Sequence, residues 1–474
     1  MRFVQARRSG REGRYLKMAW IDSVARGAAI LLTMSALPLT AAPHGIRAGV
    51  ARIDITPEAP IWMSGYAART HPSTGVLHRL WAKALAIEDA KGGRVVIVTT
   101  DLIGLPRSVT DPASARLNQE HGLDRARVLF NSSHTHTGPL VRGNLLTMFD
   151  LNAAERAQID EYGRELTGKL VQVAAAALGD LAPATLDYGF GEAGFAVNRR
   201  QFTATGVKIG VNPKGPVDHT VPVIRVRAPD GKLRAVLVAY ACHNTTLTAE
   251  FYQLSGDYAG FAQAAVEAAH PGVTALFMML CGGDQNPEPR STVTLAEQHG
   301  TTLAREVDRV LGGTLTPLQG PVRAAFENTE LEFAPHARED FEQETSSKNP
   351  SAVRRAQAML KAYDERRPVR RTPYPVQAIR FGRGLTILAL GGEVVVDYDL
   401  RTKREYPGPV MVAGYSNDVM CYIPSRRVLK EGGYEAVESM IYYGQPGPFA
   451  DDVEERIFAA VRRVMKRVGL APKR

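Results

Sequence analysis

The sequence predicts an α/β fold in which layered mixed β-sheets are flanked by helices within a single large domain. Short apolar runs alternate with helical patterns from residue 50 onward, and we find no internal repeat. With 45% hydrophobic and 23% charged residues, the composition is that of a globular protein with a sizeable core. A length of 474 residues would suit two or three average domains, but large α/β enzymes reach this size as one unit.

Individual elements follow from periodicity. Helical patterns cover residues 153–178 and 258–269, and Asn152 stands where it could cap the first helix. Four short apolar runs edged by Gly, Arg or Asp predict buried strands: residues 95–98, 128–130, 235–238 and 385–388. Strands that alternate with helices predict a layered α/β fold.

The segment 337–373 differs from its surroundings because it is strongly charged and low in β-branched residues. It predicts a solvent-facing helical excursion followed by a proline-punctuated return to the sheet. Such an excursion could act as a lid, although a surface insertion without function is more common.

The N-terminus has the pattern of an export signal. A basic stretch is followed by an apolar run over residues 27–39 and by small residues before Pro43. The run is too short to span a membrane comfortably. We expect residues 1–42 to be a signal peptide, with Met18 as an alternative start, and residues 43–474 to be exported to the periplasm or secreted.

Charge excludes few functions here. The formal net charge is +9, and residues 1–42 carry seven Arg/Lys and two Asp/Glu, which leaves +4 on residues 43–474. A basic C-terminal run could contact an anionic lipid surface, but the solvated face of a last helix is the commoner explanation; the run comprises Arg462, Arg463, Lys466, Arg467, Lys473 and Arg474. No pattern resembles a nucleic-acid-binding module.

Three cysteines, Cys242, Cys281 and Cys421, are an odd number for an exported protein, so we expect no closed disulfide framework. We interpret them as small buried side chains in a tight core.

Two histidines, His134 and His136, follow the predicted strand 128–130. In an extended segment, alternate side chains point to the same face, so we expect the two imidazoles side by side. Imidazole suits zinc, and a catalytic zinc site needs about three protein ligands and one open position. The alternative is a pair of hydrogen-bonded polar residues in a turn before Gly138.

Four later segments offer further polar side chains after apolar runs. His243 follows the predicted strand that ends near Tyr240, and Asp284 follows a Gly-Gly turn whose backbone amides could approach a ligand. Glu393 follows another Gly-Gly pair, and Tyr422 lies in a polar turn. Taken singly, these could be a core histidine, a turn aspartate, a capping glutamate and a packed tyrosine.

Taken in order, the motifs resemble the catalytic domain of the neutral (alkaline, non-lysosomal) ceramidases. The resemblance runs through nearly the whole of residues 43–474. It is carried by residues 49–57, 63–66, 101–102, 134–139, 198–199, 243, 255–257, 283–284, 392–393 and 422.

The resemblance implies one zinc ion per chain, a single large catalytic domain and a defined ligand set. The implied ligands are His134, His243, Glu393 and Tyr422. A phenolate ligand is uncommon, but the charge of a metal lowers the pKa of an acid that coordinates it.

The resemblance also implies roles around the scissile amide. His136 would face the substrate rather than the zinc. Tyr434, twelve residues after Tyr422, and Arg199 would reach the reacting centre.

Two departures from the family pattern affect the expected mechanism. Asn286 stands where the family has a serine proposed as nucleophile, and an asparagine cannot form an acyl-enzyme. It can donate a hydrogen bond to an oxyanion. We also expect no C-terminal immunoglobulin-like domain of the kind found in the larger ceramidases.

These features predict a zinc-dependent amidohydrolase that acts on linear amides. It would cleave ceramide or a related N-acyl lipid with a metal-activated water, and His136 or Asp284 would take or relay the proton. One alternative is hydrolysis of a different N-acyl or ester substrate. Another is an inactive exported protein that binds zinc or lipid.

Overall fold

The computed structural model describes residues 45–473. The strands are β1 (Arg47–Asp54), β2 (Gly75–Val76), β3 (Trp81–Glu88), β4 (Arg94–Thr100), β5 (Val128–Ser132), β6 (Ala182–Pro183), β7 (Thr185–Glu192), β8 (Ala196–Thr203), β9 (Gly206–Asn212), β10 (Thr220–Arg227), β11 (Leu233–Tyr240), β12 (Gln253–Leu254), β13 (Thr274–Met279), β14 (Gln285–Pro287), β15 (Thr316–Leu318), β16 (Val322–Glu332), β17 (Arg371–Phe381), β18 (Thr386–Leu390), β19 (Glu393–Val394), β20 (Val410–Ala413) and β21 (Tyr422–Ile423).

The helices are α1 (Arg107–His121), α2 (Ala153–Gly179), α3 (Asp257–Ala269), α4 (Val293–Leu311), α5 (Arg338–Glu344), α6 (Pro350–Asp364), α7 (Asp397–Glu405), α8 (Arg426–Glu431) and α9 (Val453–Arg467). Within residues 45–473, none of these helices has the length and apolar character that crossing a membrane requires.

Three mixed sheets form the framework. Their strand orders are β5-β4-β3-β1-β6, β13-β11-β10-β7-β15 and β16-β17-β18-β20. Each sheet contains one parallel pair, at an edge of the sheet, and is otherwise antiparallel; the parallel pairs are β4 with β5, β11 with β13 and β18 with β20.

The three sheets share a common core. Leu129 of β5, Leu237 of β11 and Ile387 of β18 are fully buried in the same apolar cluster. The opposite faces of the sheets are covered by α1 and α2, by α3 and α4, and by α9, respectively. Burial of apolar area on both faces is the main driving force for such layering. The predicted fold class is confirmed.

The predicted elements correspond closely to the observed ones. The four apolar runs lie in β4, β5, β11 and β18, and the two helical patterns are α2 and α3. Asn152 caps α2: its side chain accepts a hydrogen bond from the backbone N–H of Glu155, whose carboxylate accepts one from the N–H of Asn152. This reciprocal pair is a capping box.

The charged segment 337–373 contains α5, α6 and the first residues of β17. One side of it is packed rather than solvent-facing, since Phe341 and Ala356 are buried. Arg354 on α6 donates hydrogen bonds to the carbonyls of Thr147 and Met148. The segment is helical and largely exposed, and its inner side packs against the rest of the protein.

Three further predictions concern the cysteines, the basic C-terminal run and the signal peptide. Cys242, Cys281 and Cys421 are buried free thiols, as predicted. On α9, Arg463 and Arg467 pair with Glu327 of β16, so part of the basic run binds the protein itself. The predicted signal peptide, residues 1–42, lies outside the described residues.

A single buried amide joins one strand from each sheet. The side-chain amide of Asn131 in β5 donates to the carbonyls of Met279 in β13 (3.1 Å) and Gly414 after β20 (2.8 Å). Its oxygen accepts from the N–H of Met279 at 2.8 Å. Asn131 is fully buried, and buried backbone groups such as the N–H of Met279 need a hydrogen-bond partner.

We predict that Asn131→Ala lowers the free energy of unfolding by about 3 kcal/mol or more, because each buried polar group left unsatisfied costs about 1–3 kcal/mol. Urea denaturation measures the change. The matched substitution Asn118→Ala, at an exposed position of α1, should change stability by less than about 0.5 kcal/mol. Equal stability of Asn131→Ala and the wild type would contradict this account of how the sheets are joined.

Asp418 holds the first turn of α1 from a distant part of the chain. Its carboxylate accepts a hydrogen bond from the backbone N–H of Arg107, the first residue of α1, at 3.0 Å. Carboxylates are favoured at helix N-termini. Burial nevertheless raises the pKa of Asp418 to about 7.

We predict a pH-dependent stability difference between Asp418→Asn and the wild type. A raised pKa means that the folded state holds a proton the unfolded state has lost, so the wild type loses stability as the pH rises from 5 to 8. From an ordinary pKa of about 3.9, the loss amounts to about 2–3 kcal/mol. The variant has no carboxyl group to titrate at position 418, so its free energy of unfolding should rise relative to that of the wild type between pH 5 and 8. Urea denaturation at several pH values measures this difference. A constant difference would contradict the prediction.

Candidate active site

The candidate site lies where strands of all three sheets end. His134 follows β5, His243 follows β11 and Glu393 follows β18. A parallel bridge between Thr135 and Asn244 holds two of these strand ends together. The carboxyl ends of strands in α/β proteins are the usual place for ligands.

The backbone at His134 differs from the prediction. His134 has a φ of +64°, so the His-Thr-His stretch turns instead of continuing as a strand. The two imidazoles still meet, with Nε2 of His134 3.1 Å from Nε2 of His136. The expected juxtaposition is observed, but a left-handed turn produces it rather than strand alternation.

Hydrogen bonds fix the orientation of two imidazoles. Nδ1 of His134 donates to the carbonyl of Ile103 at 2.6 Å, and Nδ1 of His243 donates to the carbonyl of Gly282 at 2.7 Å. Burial lowers the pKa of His243 to about 3, so this ring is neutral at pH 7. The neutral His243 ring therefore presents the lone pair of Nε2 to the centre of the site. The Nδ1 hydrogen bond of His134 turns its Nε2 toward the same point, the arrangement found in metal-ligating histidines.

Glu393 and Tyr422 complete a set of four converging atoms. Oε2 of Glu393 lies 3.0 Å from Nε2 of His134 and 3.1 Å from Nε2 of His243. The Tyr422 hydroxyl lies 3.1 Å from the same His243 nitrogen. Ligands at 2.0–2.1 Å from a tetrahedral zinc stand about 3.3 Å apart. The buried donor set thus fits zinc in both chemistry and spacing.

Local pairing explains why these two residues meet. Glu393 and Tyr422 are directly paired in the parallel strands β19 and β21. The second carboxylate oxygen of Glu393 accepts a hydrogen bond from the Tyr443 hydroxyl. Tyr443 was not predicted, because it lies in an irregular segment after the resembling motifs and no spacing rule connects it to Glu393.

Arg199 connects the predicted ligands to the rest of the site. It donates to the Tyr422 hydroxyl at 2.9 Å, to Oδ1 of Asn286 at 3.3 Å and to Glu435 at 2.8 Å. The next residue, Arg200, binds the other oxygen of Glu435 at 2.5 Å. Neighbouring arginines can both be buried here because the pairing of β8 with β9 shifts register between residues 198 and 200. Glu435 is a second residue that the sequence analysis missed.

Asn286 faces the candidate cavity from β14. Its side-chain oxygen accepts hydrogen bonds from Arg199 and, at 3.3 Å, from the Thr245 hydroxyl. This leaves its amide N–H groups available to a ligand in the cavity that Asn286 lines.

Asp284 occupies a different environment from the one expected for a proton carrier. Its carboxylate accepts hydrogen bonds from the backbone N–H of Val396 at 2.8 Å and from Asn198 at 3.1 Å. Burial raises its pKa to about 7, but the side chain is fully enclosed and does not line the cavity. These contacts suit a residue that positions β14. Because Asp284 does not line the cavity, the structure does not bring it together with the other predicted catalytic residues.

The Gly-Gly turn before Asp284 also differs from expectation. The N–H of Gly283 donates to the carbonyl of Val394, and a Cβ added to Gly283 would lie 2.8 Å from the carbonyl oxygens of Glu393 and Val394. The glycine permits close packing against β19, and its amide is not presented to a ligand.

A cavity of about 250 Å³ adjoins the four converging atoms, and Tyr422 is the one of the four residues that lines it. Tyr434 lines it, with its ring centroid 5.4 Å from that of Tyr422. His136 also lines it, as expected, but belongs as well to the cluster in which the ligand atoms of His134, His136 and His243 lie within 4.8 Å of one another. The full lining is Gly65, Tyr66, Ala67, Ala68, His136, Met148, Arg199, Ile209, Thr245, Asn286, Arg290, Tyr422, Tyr434 and Tyr442.

Comparison with known proteins gives a consistent family. The neutral ceramidase of Pseudomonas aeruginosa is 28% identical over 270 residues, which cover 54% of this chain and 39% of that protein. The neutral ceramidase of Mycobacterium tuberculosis is 23% identical over 469 residues, which cover 81% of this chain and 72% of that protein. The match to the Pseudomonas protein therefore spans well under two thirds of its length.

Solved structures agree on the fold. A crystal structure of neutral ceramidase from Pseudomonas aeruginosa matches with a TM-score of 0.67 at 20% identity, over 90% of this chain and 75% of that one. The family model described as neutral/alkaline non-lysosomal ceramidase, N-terminal, matches residues 46–331, more than half of the sequence. This chain belongs to the neutral/alkaline non-lysosomal ceramidase family.

Proposed function

We propose that this protein is a zinc-dependent hydrolase that cleaves the amide bond of ceramide or a related N-acyl lipid. The observation that carries the proposal is the convergence of His134, His243, Glu393 and Tyr422 beneath a cavity lined by hydrogen-bond donors. One zinc would be held by these four residues. The apolar run over residues 27–39 further supports action outside the cytoplasm.

Zinc, when bound, would supply Lewis acidity and lower the pKa of a coordinated water to about 7. The net reaction adds water across the amide C–N bond: the oxygen goes to the acyl carbon, and the amine leaves with a proton. No serine is needed at position 286 for this reaction.

Three side chains would stabilise the charge that develops on the carbonyl oxygen. Arg199 is held in place by Glu435. The side-chain oxygen of Asn286 accepts from Arg199 and Thr245, which leaves the amide N–H groups of Asn286 for the substrate. Burial raises the pKa of Tyr434, so its hydroxyl keeps its proton at neutral pH and can donate. Preorganised donors of this kind contribute most where charge appears in the transition state.

His136 is the better placed of the two predicted proton carriers. Burial holds its pKa well below its usual range, so the ring is neutral and able to accept a proton. Its Nδ1 is buried and has no hydrogen-bond partner among the described residues. Gly65 packs against this ring, since a Cβ there would lie 2.4 Å from Nδ1. We assign Asp284 a positioning role.

A different N-acyl or ester substrate is the second candidate. Asn286 stands at the position of the family's serine, and this change favours the second candidate. The asparagine amide can still donate a hydrogen bond to an oxyanion, but the serine hydroxyl is lost. The complete ligand set argues against an inactive binding protein, which has no need of Arg199 and Asn286 in the cavity.

The test is zinc content together with release of free fatty acid from a panel of N-acyl lipids, amides and esters, with and without chelator. The proposal expects about one zinc per chain and chelator-sensitive turnover of an N-acyl lipid. Turnover of esters alone would favour the second candidate. Bound zinc without turnover of any substrate would contradict both.

We predict that His134→Ala and Glu393→Ala each lose bound zinc and at least about 10³-fold in kcat/KM, because each removes one of four ligands. Metal analysis of the purified variants and fatty acid release measure the two effects. Glu120→Ala, an exposed change on α1, is the matched control and should keep both. Full activity of Glu393→Ala would refute the ligand assignment.

We predict that Asn286→Ala keeps its zinc but loses about 10²-fold or more in kcat, the cost measured elsewhere for one oxyanion donor. Asn286→Ser, which restores the family's residue, should not exceed wild-type kcat if the wild-type route needs no acyl-enzyme. Steady-state kinetics with metal analysis separate the cases. Wild-type kcat in Asn286→Ala would remove this residue from the mechanism.

A further inference from the structure

The cavity contains a second arginine that forms no ion pair among the described residues. Arg290 lines the cavity together with Arg199, and none of the lining residues is an aspartate or glutamate. The charge of Arg199 is matched by Glu435 at 2.8 Å. Within residues 45–473, the Arg290 side chain makes no hydrogen bond or ion pair.

The backbone around Arg290 is firmly held. The N–H of Ser291 donates to the carbonyl of Thr246 at 2.7 Å, and the carbonyl of Pro289 accepts from His299 at 2.6 Å. Arg290 follows Asn286 by four residues on the same segment. Arg290 therefore belongs to the segment that supplies a predicted oxyanion donor, and its side chain lines the same cavity as Asn286.

The charge of Arg290 acts within the cavity. Burial raises the pKa of Tyr66, another lining residue, and the positive charge of Arg290 opposes that rise. Arg290 is partly buried, so an anion that binds there gives a stronger charge-assisted hydrogen bond than one on an open surface.

The remaining wall is suited to the other part of the substrate. Ala67, Ala68, Met148 and Ile209 add apolar side chains to the lining. An acyl chain has no charge to offer Arg290, so an anionic group would have to belong to the amine portion of the substrate.

On the basis of the proposed function, we propose that Arg290 binds an anionic group carried by the amine portion. The preferred substrates are then N-acyl amides with a carboxylate or phosphate close to the amide, rather than neutral ceramide. Arginine suits this task because its planar fork binds both groups through paired hydrogen bonds. Arg290 is thus a specificity-determining residue.

The test compares matched pairs of anionic and neutral substrates, with release of lauric acid as the readout and the zinc-loaded full chain as the enzyme. The series is an N-lauroyl amino acid, its neutral methyl ester, N-lauroyl ethanolamine, its phosphate, and a short-chain ceramide. We expect kcat/KM of the wild type to be at least about 10-fold higher for the anionic member of a pair, because a hydrogen bond to a charged group strengthens binding by about that factor or more. The carboxylate and phosphate pairs show which group is preferred.

The variants are Arg290→Met, Arg290→Lys and the exposed control Arg116→Met. Arg290→Met should lose the anionic preference while changing kcat/KM for neutral amides by less than about 3-fold, and Arg290→Lys should keep part of it. Arg116→Met should behave as wild type. Equal preference in wild type and Arg290→Met, or a wild-type preference for neutral amides, would overturn the proposal.

Binding separates this proposal from the proposed function. Calorimetric titration of the N-lauroyl amino acid and its methyl ester reports recognition even without turnover. Tighter binding of the acid by wild type but not by Arg290→Met supports the role of Arg290, whether or not the amide is cleaved. A wild-type preference for ceramide over the anionic substrates that is unchanged in Arg290→Met would preserve the proposed function and reject this inference.

Discussion

The architecture depends on the buried amide of Asn131. It joins β5 to β13 and to the end of β20, so one strand from each of the three sheets is held at a single point. His134 follows three residues later, after its backbone has turned into the left-handed region. The same contact that holds the sheets together therefore fixes where the first imidazole enters the site, and its energetic weight comes from the cost of leaving buried backbone groups unpaired.

The candidate metal site gathers groups of the kind that coordinate a divalent cation in one buried place. Nδ1 of His134 and Nδ1 of His243 donate to the carbonyls of Ile103 and Gly282, which leaves the two Nε2 atoms facing the centre of the site. A carboxylate oxygen stands about 3 Å from both of these nitrogens. Burial of such polar groups is costly unless each has a partner, and a divalent ion would supply one to all of them.

The sequence predicted what depends on local pattern. Periodicity located α2 and α3, the four core strands and the Asn152 cap, and the family resemblance brought out His243, Glu393 and Tyr422. Long-range contacts were inaccessible: Tyr443 and Glu435 reach Glu393 and Arg199 across 50 and 236 residues, respectively. The turn at His134 and the packing role of Gly283 were also missed, because strand ends were assumed to continue as extended chain, and a glycine can serve either a ligand or a neighbouring strand.

The most direct test of the central claim is to locate the metal by anomalous X-ray scattering at the zinc edge in crystals of the purified protein. The account predicts one zinc coordinated by Nε2 of His134, Nε2 of His243, Glu393 and the Tyr422 hydroxyl, with His136 outside the coordination sphere. A zinc bound by His136 in place of Tyr422, or crystals of zinc-replete protein with the metal elsewhere, would contradict it.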